Sequence, residues 1–254
     1  MENIPALLNN FTPIGLDKLE TVKLLDRVDT KYAFKRAQLA SILQELADYY
    51  YILEVNNQRT SEYSSLYFDT PDFELYNDHL TGRLSRFKIR FREYIRSGIK
   101  YFEIKHKNNK RRTIKYRVLQ DAISTHINNT AESFLREKTS YLPENLDAKL
   151  WVNYSRITLM SKTSLERVTI DTDLKFRSTQ SSKSFDNLVI AEVKQHRSGK
   201  SYFKLVMKKN KIRPASLSKY CLGVVNLFEN VKKNNFKSKL NLITKIQNGV
   251  TANI

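Results

Sequence analysis

The chain is poor in the residues that build several common chemistries. It has one cysteine, Cys221, among 254 residues, with six glycines and five prolines. A lone cysteine excludes an internal disulfide and a cysteine-built zinc cluster, and suits a reducing, cytoplasmic setting. Scarce glycine and proline argue against a sandwich of tight glycine turns, and no glycine-rich phosphate loop of the P-loop type occurs. No window reaches the roughly 18 consecutive apolar residues of a membrane-spanning helix. The opening MENIPALLNNF lacks the basic start, apolar stretch and cleavage site of a signal peptide. The histidines, His79, His106, His126 and His196, fall at no metal-ligand spacing and are expected on strands or at the surface. Acidic residues are also in deficit. Against 44 Lys and Arg stand 26 Asp and Glu, a net charge of +18. Such an excess points to a polyanionic partner: nucleic acid, anionic lipid or a phosphate-rich small molecule.

Apolar residues make up 41% of the chain, enough for a sizeable core. No internal repeat, heptad run or long low-complexity tract divides it, and a single domain over 1–254 is expected. Residues 178–186 read as a short polar loop. Period-two alternation predicts strands at 27–35, 49–55, 60–68, 84–95, 99–107, 111–118, 150–160, 164–177 and 187–196. Helices are expected near 17–25, 36–47, 71–79, in parts of 119–148, and at 200–208, 216–231 and 236–247. The last, within 232–254, carries Lys232, Lys233, Lys237 and Lys239; it reads as a solvated basic face, with an anionic membrane as the alternative. Strands in meander order with inserted helices argue for an α+β fold with an antiparallel sheet.

The strands place charge where a sheet would normally be mixed polar. In FKIRFREY, Phe87, Ile89 and Phe91 share one face and Lys88, Arg90 and Arg92 the other. The same alternation sets Phe102 and Ile104 against Glu103, Lys105 and Lys107. It sets Val28, Tyr32 and Phe34 against Arg27, Asp29 and Lys31, and Val168 and Ile170 against Arg167, Asp171 and Asp173. Ala191 and Val193 oppose Glu192 and Lys194, while Tyr154 and Arg156 share one parity. A solvated face of an open sheet is the usual explanation of alternating charge. These stripes, however, repeat Arg and Lys with single carboxylates between them, and amphipathic helices are available to cover the apolar side. A barrel with its apolar side outward under helices and its charged side inward satisfies both facts. Crowded inward cations repel one another and are costly to desolvate, so the arrangement favours a bound polyanion.

The segments RVDTKY (27–32), SSLYFDTPDFELY (64–76), KIRFREY (88–94), FEIKHK (102–107), TIKYRV (113–118), NYSR (153–156), RVTIDTDL (167–174), AEVK (191–194) and SKYCLG (218–223) together resemble the VTC domain. This is the polyphosphate polymerase domain of the vacuolar transporter chaperone family, within the CYTH-like triphosphate tunnel metalloenzymes. The resemblance spans about 20–230, and its most specific combination is SLYFDTPDF with a later RxR strand and an FExK strand. It implies an antiparallel β-barrel tunnel of about eight strands with helices packed outside. It also implies transfer of the ATP γ-phosphate onto a growing polyphosphate chain, with a divalent metal, Mn²⁺ or Mg²⁺. The implied phosphate-contacting cations are Lys31, Arg90, Arg92, Lys105, Lys115, Arg156, Arg167 and Lys219, of which Lys115 and Lys219 rest on the resemblance alone. Glu192 is the implied metal ligand, Tyr154 and Ser218 match neighbouring tunnel positions, and Glu103 and Lys194 join them as substrate-side candidates. ATP and polyphosphate are the implied partners, at the inner face of a membrane if a membrane-associated partner exists, and nucleic acid is not expected. The wider superfamily opens with alternating glutamates on its first strand; Arg27, Asp29 and Lys31 stand there instead, which leaves Glu192 few metal-binding companions. A tunnel hydrolase of triphosphates and a non-catalytic polyanion-binding module are the competing readings. Asp69, Asp72 and Asp78 flank a turn and helix, and capping is their expected role.

Overall fold

A strand that alternates apolar and charged residues can bury only one face, and this chain covers that face with helices. The computed structural model describes residues 3–21, 27–110, 112–197 and 199–248. The Arg27 side chain and the far end of the helix expected at 17–25 lie outside the described residues. The strands are β1 (Thr12–Ile14), β2 (Arg27–Lys35), β3 (Tyr50–Leu53), β4 (Ser61–Asp69), β5 (Arg86–Tyr94), β6 (Ile99–Lys107), β7 (Thr113–Gln120), β8 (Asp147–Ser161), β9 (Glu166–Arg177), β10 (Ser182–Phe185) and β11 (Leu188–His196). The helices are α1 (Ile4–Leu8), α2 (Leu16–Thr21), α3 (Leu39–Leu46), α4 (Glu74–Thr81), α5 (Asn129–Lys138), α6 (Tyr202–Lys209), α7 (Lys219–Leu227) and α8 (Lys237–Gln247). Among the described residues no helix is long and apolar enough to cross a membrane.

All eleven strands join one sheet, whose main path runs β2-β11-β9-β8-β4-β5-β6-β7. Every pairing is antiparallel except β1 with β3. β10, in the segment expected as loop, pairs with the end of β9. The outer face of the sheet is apolar. Tyr32, Phe34, Val168, Ile170 and Val193 pack under Leu39, Ile42 and Leu43 of α3 and Phe203 and Met207 of α6. Phe91, Phe102 and Ile104 pack under Ala131 and Leu135 of α5. Spacing of three and four residues on α3 gives the helix one buried stripe, which is why it lies flat on the strands.

Two findings correct the expected barrel. First, the sheet is not closed: β2 and β7 end the path and do not pair. The free edge of β2 is taken at one point by the segment leading into α7. There the Ala215 N–H donates to the Lys31 carbonyl at 2.8 Å, and Tyr32 bridges to Pro214. Second, the inner face is charged over only part of its length. Between Asn153 and Ser155 of β8, the β9 partner advances by one extra residue, from Lys175 to Thr172. Asp173 sits at this bulge with φ of 54°. An extra residue flips the parity beyond it, so Leu174 and Phe176 turn inward with Leu150, Val152 and Ile190. Helices α7 and α8 fill this end of the trough through Tyr220, Val224, Ile243 and Ile246. Gly223 permits the approach, because a Cβ there would lie 2.4 Å from Leu150 Cδ2 and 2.7 Å from Phe176 Cδ1.

Candidate functional site

Curling of the sheet brings its two ends across from each other around a cavity of about 590 Å³. Lys194 and Arg167, from β11 and β9, line it together with Lys115, Arg117 and Tyr101, from β7 and β6. Strands at opposite ends of the path therefore share one enclosure. Leu53, Tyr94, Arg96 and Ile99 also line it.

Period-two geometry aims the site residues inward, and three carboxylates organise them. Glu103 is 2% exposed. Its Oε2 accepts from Arg90 Nε and Nη2 at 2.8 and 2.6 Å, and Lys115 Nζ lies 2.5 Å from Oε1. Asp171, also buried, takes a two-pronged pair from Arg156, Nε to Oδ1 at 2.6 Å and Nη2 to Oδ2 at 2.8 Å. Lys219 at the start of α7 donates to the same Asp171 Oδ2. Glu192 has Lys31 Nζ at 2.9 Å from one oxygen and Lys194 Nζ at 2.5 Å from the other. Each carboxylate thus holds two cations from different elements, a geometry that fixes long side chains for bidentate phosphate recognition.

Aromatic hydroxyls and rings complete the wall. Arg92, 8% exposed, donates to Ser65 Oγ at 3.2 Å and Tyr154 Oη at 3.0 Å. Tyr154 stacks on Tyr63 at 5.1 Å between ring centres, and the Arg156 guanidinium lies 5.0 Å from the Tyr63 ring. Lys219 Nζ stands 4.7 Å over Tyr154. Lys105 lies among Lys88, Lys31, Lys194 and Glu192. Arg167 lines the cavity wall. Ser218 caps α7 by accepting the Cys221 N–H at 3.3 Å and accepts from Lys88 Nζ at 2.8 Å.

Of the side chains expected at the site, Arg92, Lys115, Arg156, Arg167 and Lys194 line the cavity, and Lys31, Arg90, Glu103, Tyr154, Glu192 and Lys219 are brought together with them by the contacts above. Asp173, read with the same stripe, is not: the bulge turns it away, to pair with Arg36 at 2.6 Å. Parity also passed over Tyr63, Tyr67 and Arg117. Their signal was present, since Tyr63, Ser65 and Tyr67 share the inward face of β4 and Arg117 follows Lys115 by two.

The electrostatics record the crowding. Burial pushes the Glu103 carboxyl up, yet Arg90, Arg92 and Lys115 outweigh it and hold it at about 2. Burial likewise opposes ionisation of Asp171 and Glu192, and the paired cations more than offset it. The cations bear the complementary cost. Desolvation, then repulsion from Lys88, lowers Lys105 to about 8. Lys105 is nonetheless solvent-exposed.

Among the described residues no three His, Cys, Asp or Glu side chains converge as a metal site. Glu192, the implied metal ligand, has a lysine on each oxygen, so a divalent ion there would share its carboxylate with Lys31 and Lys194 and take its other ligands from phosphate oxygens and water. The other acids serve packing. Asp69 accepts N–H groups from Thr70, Leu75 and Tyr76 at 2.8, 2.8 and 2.9 Å and the Tyr220 hydroxyl, so it caps α4 and ties α7 into place. His79, half-buried and pushed down to about 2 by desolvation, is neutral; it meets the Phe87 carbonyl at 3.2 Å and accepts from Arg86 Nε at 3.1 Å.

The sequence profile of the VTC domain matches residues 26–228. No curated protein sequence matches the chain. Among solved structures, a proposed adenylyl cyclase from Hippeastrum, described as having a dominant triphosphatase activity, shares 11% identity over 80% of this chain and 98% of its own, with a TM-score of 0.52. A proposed adenylate cyclase from Vibrio parahaemolyticus shares 14% identity over 79% of this chain and 99% of its own, at 0.47. One from Bacillus halodurans shares 13% over 80% and 98%, also at 0.47. The Hippeastrum likeness is one of fold.

Proposed function

The chain belongs to the VTC domain family, and from that premise we propose that it is an ATP-dependent polyphosphate polymerase. The observation that carries this reading is the enclosed array in which Glu103, Asp171 and Glu192 each hold two inward cations. Phosphoryl transfer asks little covalent chemistry of a protein; it needs alignment and stabilisation of charge spread over phosphate oxygens. Arg90, Arg92 and Arg156 offer planar forks for those oxygens, and Lys31, Lys105, Lys115 and Lys219 offer point charges. An oxygen of the acceptor's terminal phosphate attacks the ATP γ-phosphorus in line. The bond from that phosphorus to the β,γ-bridging oxygen breaks, its electron pair leaves with ADP, and the polyphosphate grows by one unit. A divalent ion held by Glu192 and the phosphates would neutralise charge on the transferring group. No serine, cysteine or histidine nucleophile is needed.

A hydrolase reading, in which water replaces the acceptor phosphate, draws on the fold shared with the Hippeastrum protein; fold leaves that choice open. Incubation with ATP and Mn²⁺, with products resolved on a gel, decides between them. Long chains are the expected product, and orthophosphate with ADP alone would defeat the polymerase.

A further inference from the structure

Beside the start of α7 stands a cation to which the family resemblance gives no role. Lys88 precedes Arg90 by two on β5 and so faces inward with it. Lys31, Arg90, Lys115, Arg156, Lys194 and Lys219 each rest on a carboxylate. Lys88 does not: among the described residues its ammonium has one hydrogen-bond partner, the Ser218 hydroxyl at 2.8 Å. Burial lowers its pKa, the Cys221 thiol and the Tyr67 hydroxyl nearby pull the other way, and Lys31 and Arg90 add repulsion. An ammonium left among cations with only a hydroxyl acceptor is an unfavourable arrangement unless an anion arrives.

Beside it, Tyr67 of β4 is 5% exposed and stacks on Tyr220 of α7 at 5.0 Å. The Tyr67 oxygen accepts from Arg90 Nη1 at 2.6 Å, and among the described residues its own hydrogen has no acceptor. The start of α7, capped by Ser218, meets the same spot, and a helix start favours negative charge. An ammonium with two free hydrogens and a phenol with one therefore converge against the start of that helix.

We propose that Lys88, with the Tyr67 hydroxyl, forms a further phosphate subsite against the start of α7. Ser218 positions the ammonium. The inference rests on the reading that a phosphate chain occupies this enclosure, and the experiment separates the two. Binding of inorganic tripolyphosphate is measured by calorimetry for the unaltered protein and for Lys88→Met, Lys88→Gln, Lys88→Arg and Tyr67→Phe, with the melting temperature of each free protein. Lys88→Met is expected to weaken binding by about 10- to 100-fold, the range of a lost charged hydrogen bond. The melting temperature should hold or rise, because a repelled charge has gone. Lys88→Gln keeps a donor for Ser218 and should lose as much affinity as Lys88→Met. Lys88→Arg should recover most of it, and Tyr67→Phe should lose a smaller factor of about 3 to 10. If Lys88→Gln binds like the unaltered protein, Lys88 is a prop for α7 and the proposal is overturned, even should Lys88→Met fail to fold. If the unaltered protein itself does not bind tripolyphosphate, the enclosure reading fails first.

Discussion

Strands β5 and β6 carry two chemistries a few ångströms apart. Outward, Ile89, Phe91, Phe102 and Ile104 are fully buried beneath α5. On the opposite face stand Arg90, Arg92, Glu103 and Lys105, with Arg90 and Arg92 against Glu103. The outer face repays the entropy of folding by removing apolar surface from water. The inner face contributes no such gain and crowds like charges. The difference teaches that stability and binding are carried by alternate residues of the same strands, so substitutions one position apart should fail in different ways.

The largest effects come from breaking that contrast on neighbouring strands. Phe102→Ala should cost about 3–5 kcal/mol of stability, as for a buried phenylalanine, with binding intact in whatever fraction folds. Arg92→Ala should instead lower turnover on the order of 100- to 1000-fold with a much smaller change in the denaturation midpoint. Urea titration and product assays on the same preparations check the pair. Equal stability losses would show that the two faces are not separable.

A smaller effect sharpens the comparison within the inner face. Glu103→Gln removes the charge that holds Arg90 and Lys115 together. The expected loss is about 2 kcal/mol, below the range for breaking a fully buried pair because Lys115 is half open to water. Added tripolyphosphate should raise the melting temperature of this variant more than that of the unaltered protein, since it supplies the missing negative charge. The sign of the pH dependence follows from the low carboxyl. Glu103 sits at about 2 against an ordinary 4.5, so its stabilisation is present above pH 4.5 and is lost as pH falls toward 2. A variant with an unchanged acid midpoint would contradict that assignment.

Much of this architecture was legible because alternation along a strand is a direct geometric signal. Arg90, Arg92, Glu103, Arg156, Arg167, Glu192 and Lys194 all follow from it. It failed where the backbone departs from strict alternation or leaves the sheet. Asp173 reads as inward only if β9 is uninterrupted, and nothing local announces the bulge that turns it toward Arg36. Lys219 stands on a helix, where strand parity says nothing, and Lys115 rested on family resemblance. The filled end did leave a trace. LVIA at 188–191 is apolar at both parities, as a strand buried on both faces should be. Closure into a barrel was inferred from the charged stripes, the helices available to cover the apolar side and the family resemblance, none of which reports which strand edges pair.

The mildest test uses protons as the probe. Lys105 sits at about 8, lowered by desolvation and by Lys88, Lys31 and Lys194, with Glu192 pulling the other way. Below pH 8 it is charged and ready for a phosphate; above pH 8 it must take up a proton to bind one. Affinity for tripolyphosphate should therefore be flat toward pH 7 and fall by up to tenfold per pH unit above 8. For folding the sign is opposite to that of Glu103: a lysine depressed from 10.5 weakens the folded state below pH 8, and that penalty fades as pH rises from 8 toward 10.5. Calorimetry near pH 8 in buffers of different ionisation enthalpy should detect proton uptake on binding. Lys105→Arg, charged throughout, should abolish that uptake and flatten the profile. Uptake that persists in Lys105→Arg would move the titrating group elsewhere on the inner face, with Lys88 and Lys194, both also lowered by burial, the next to be replaced.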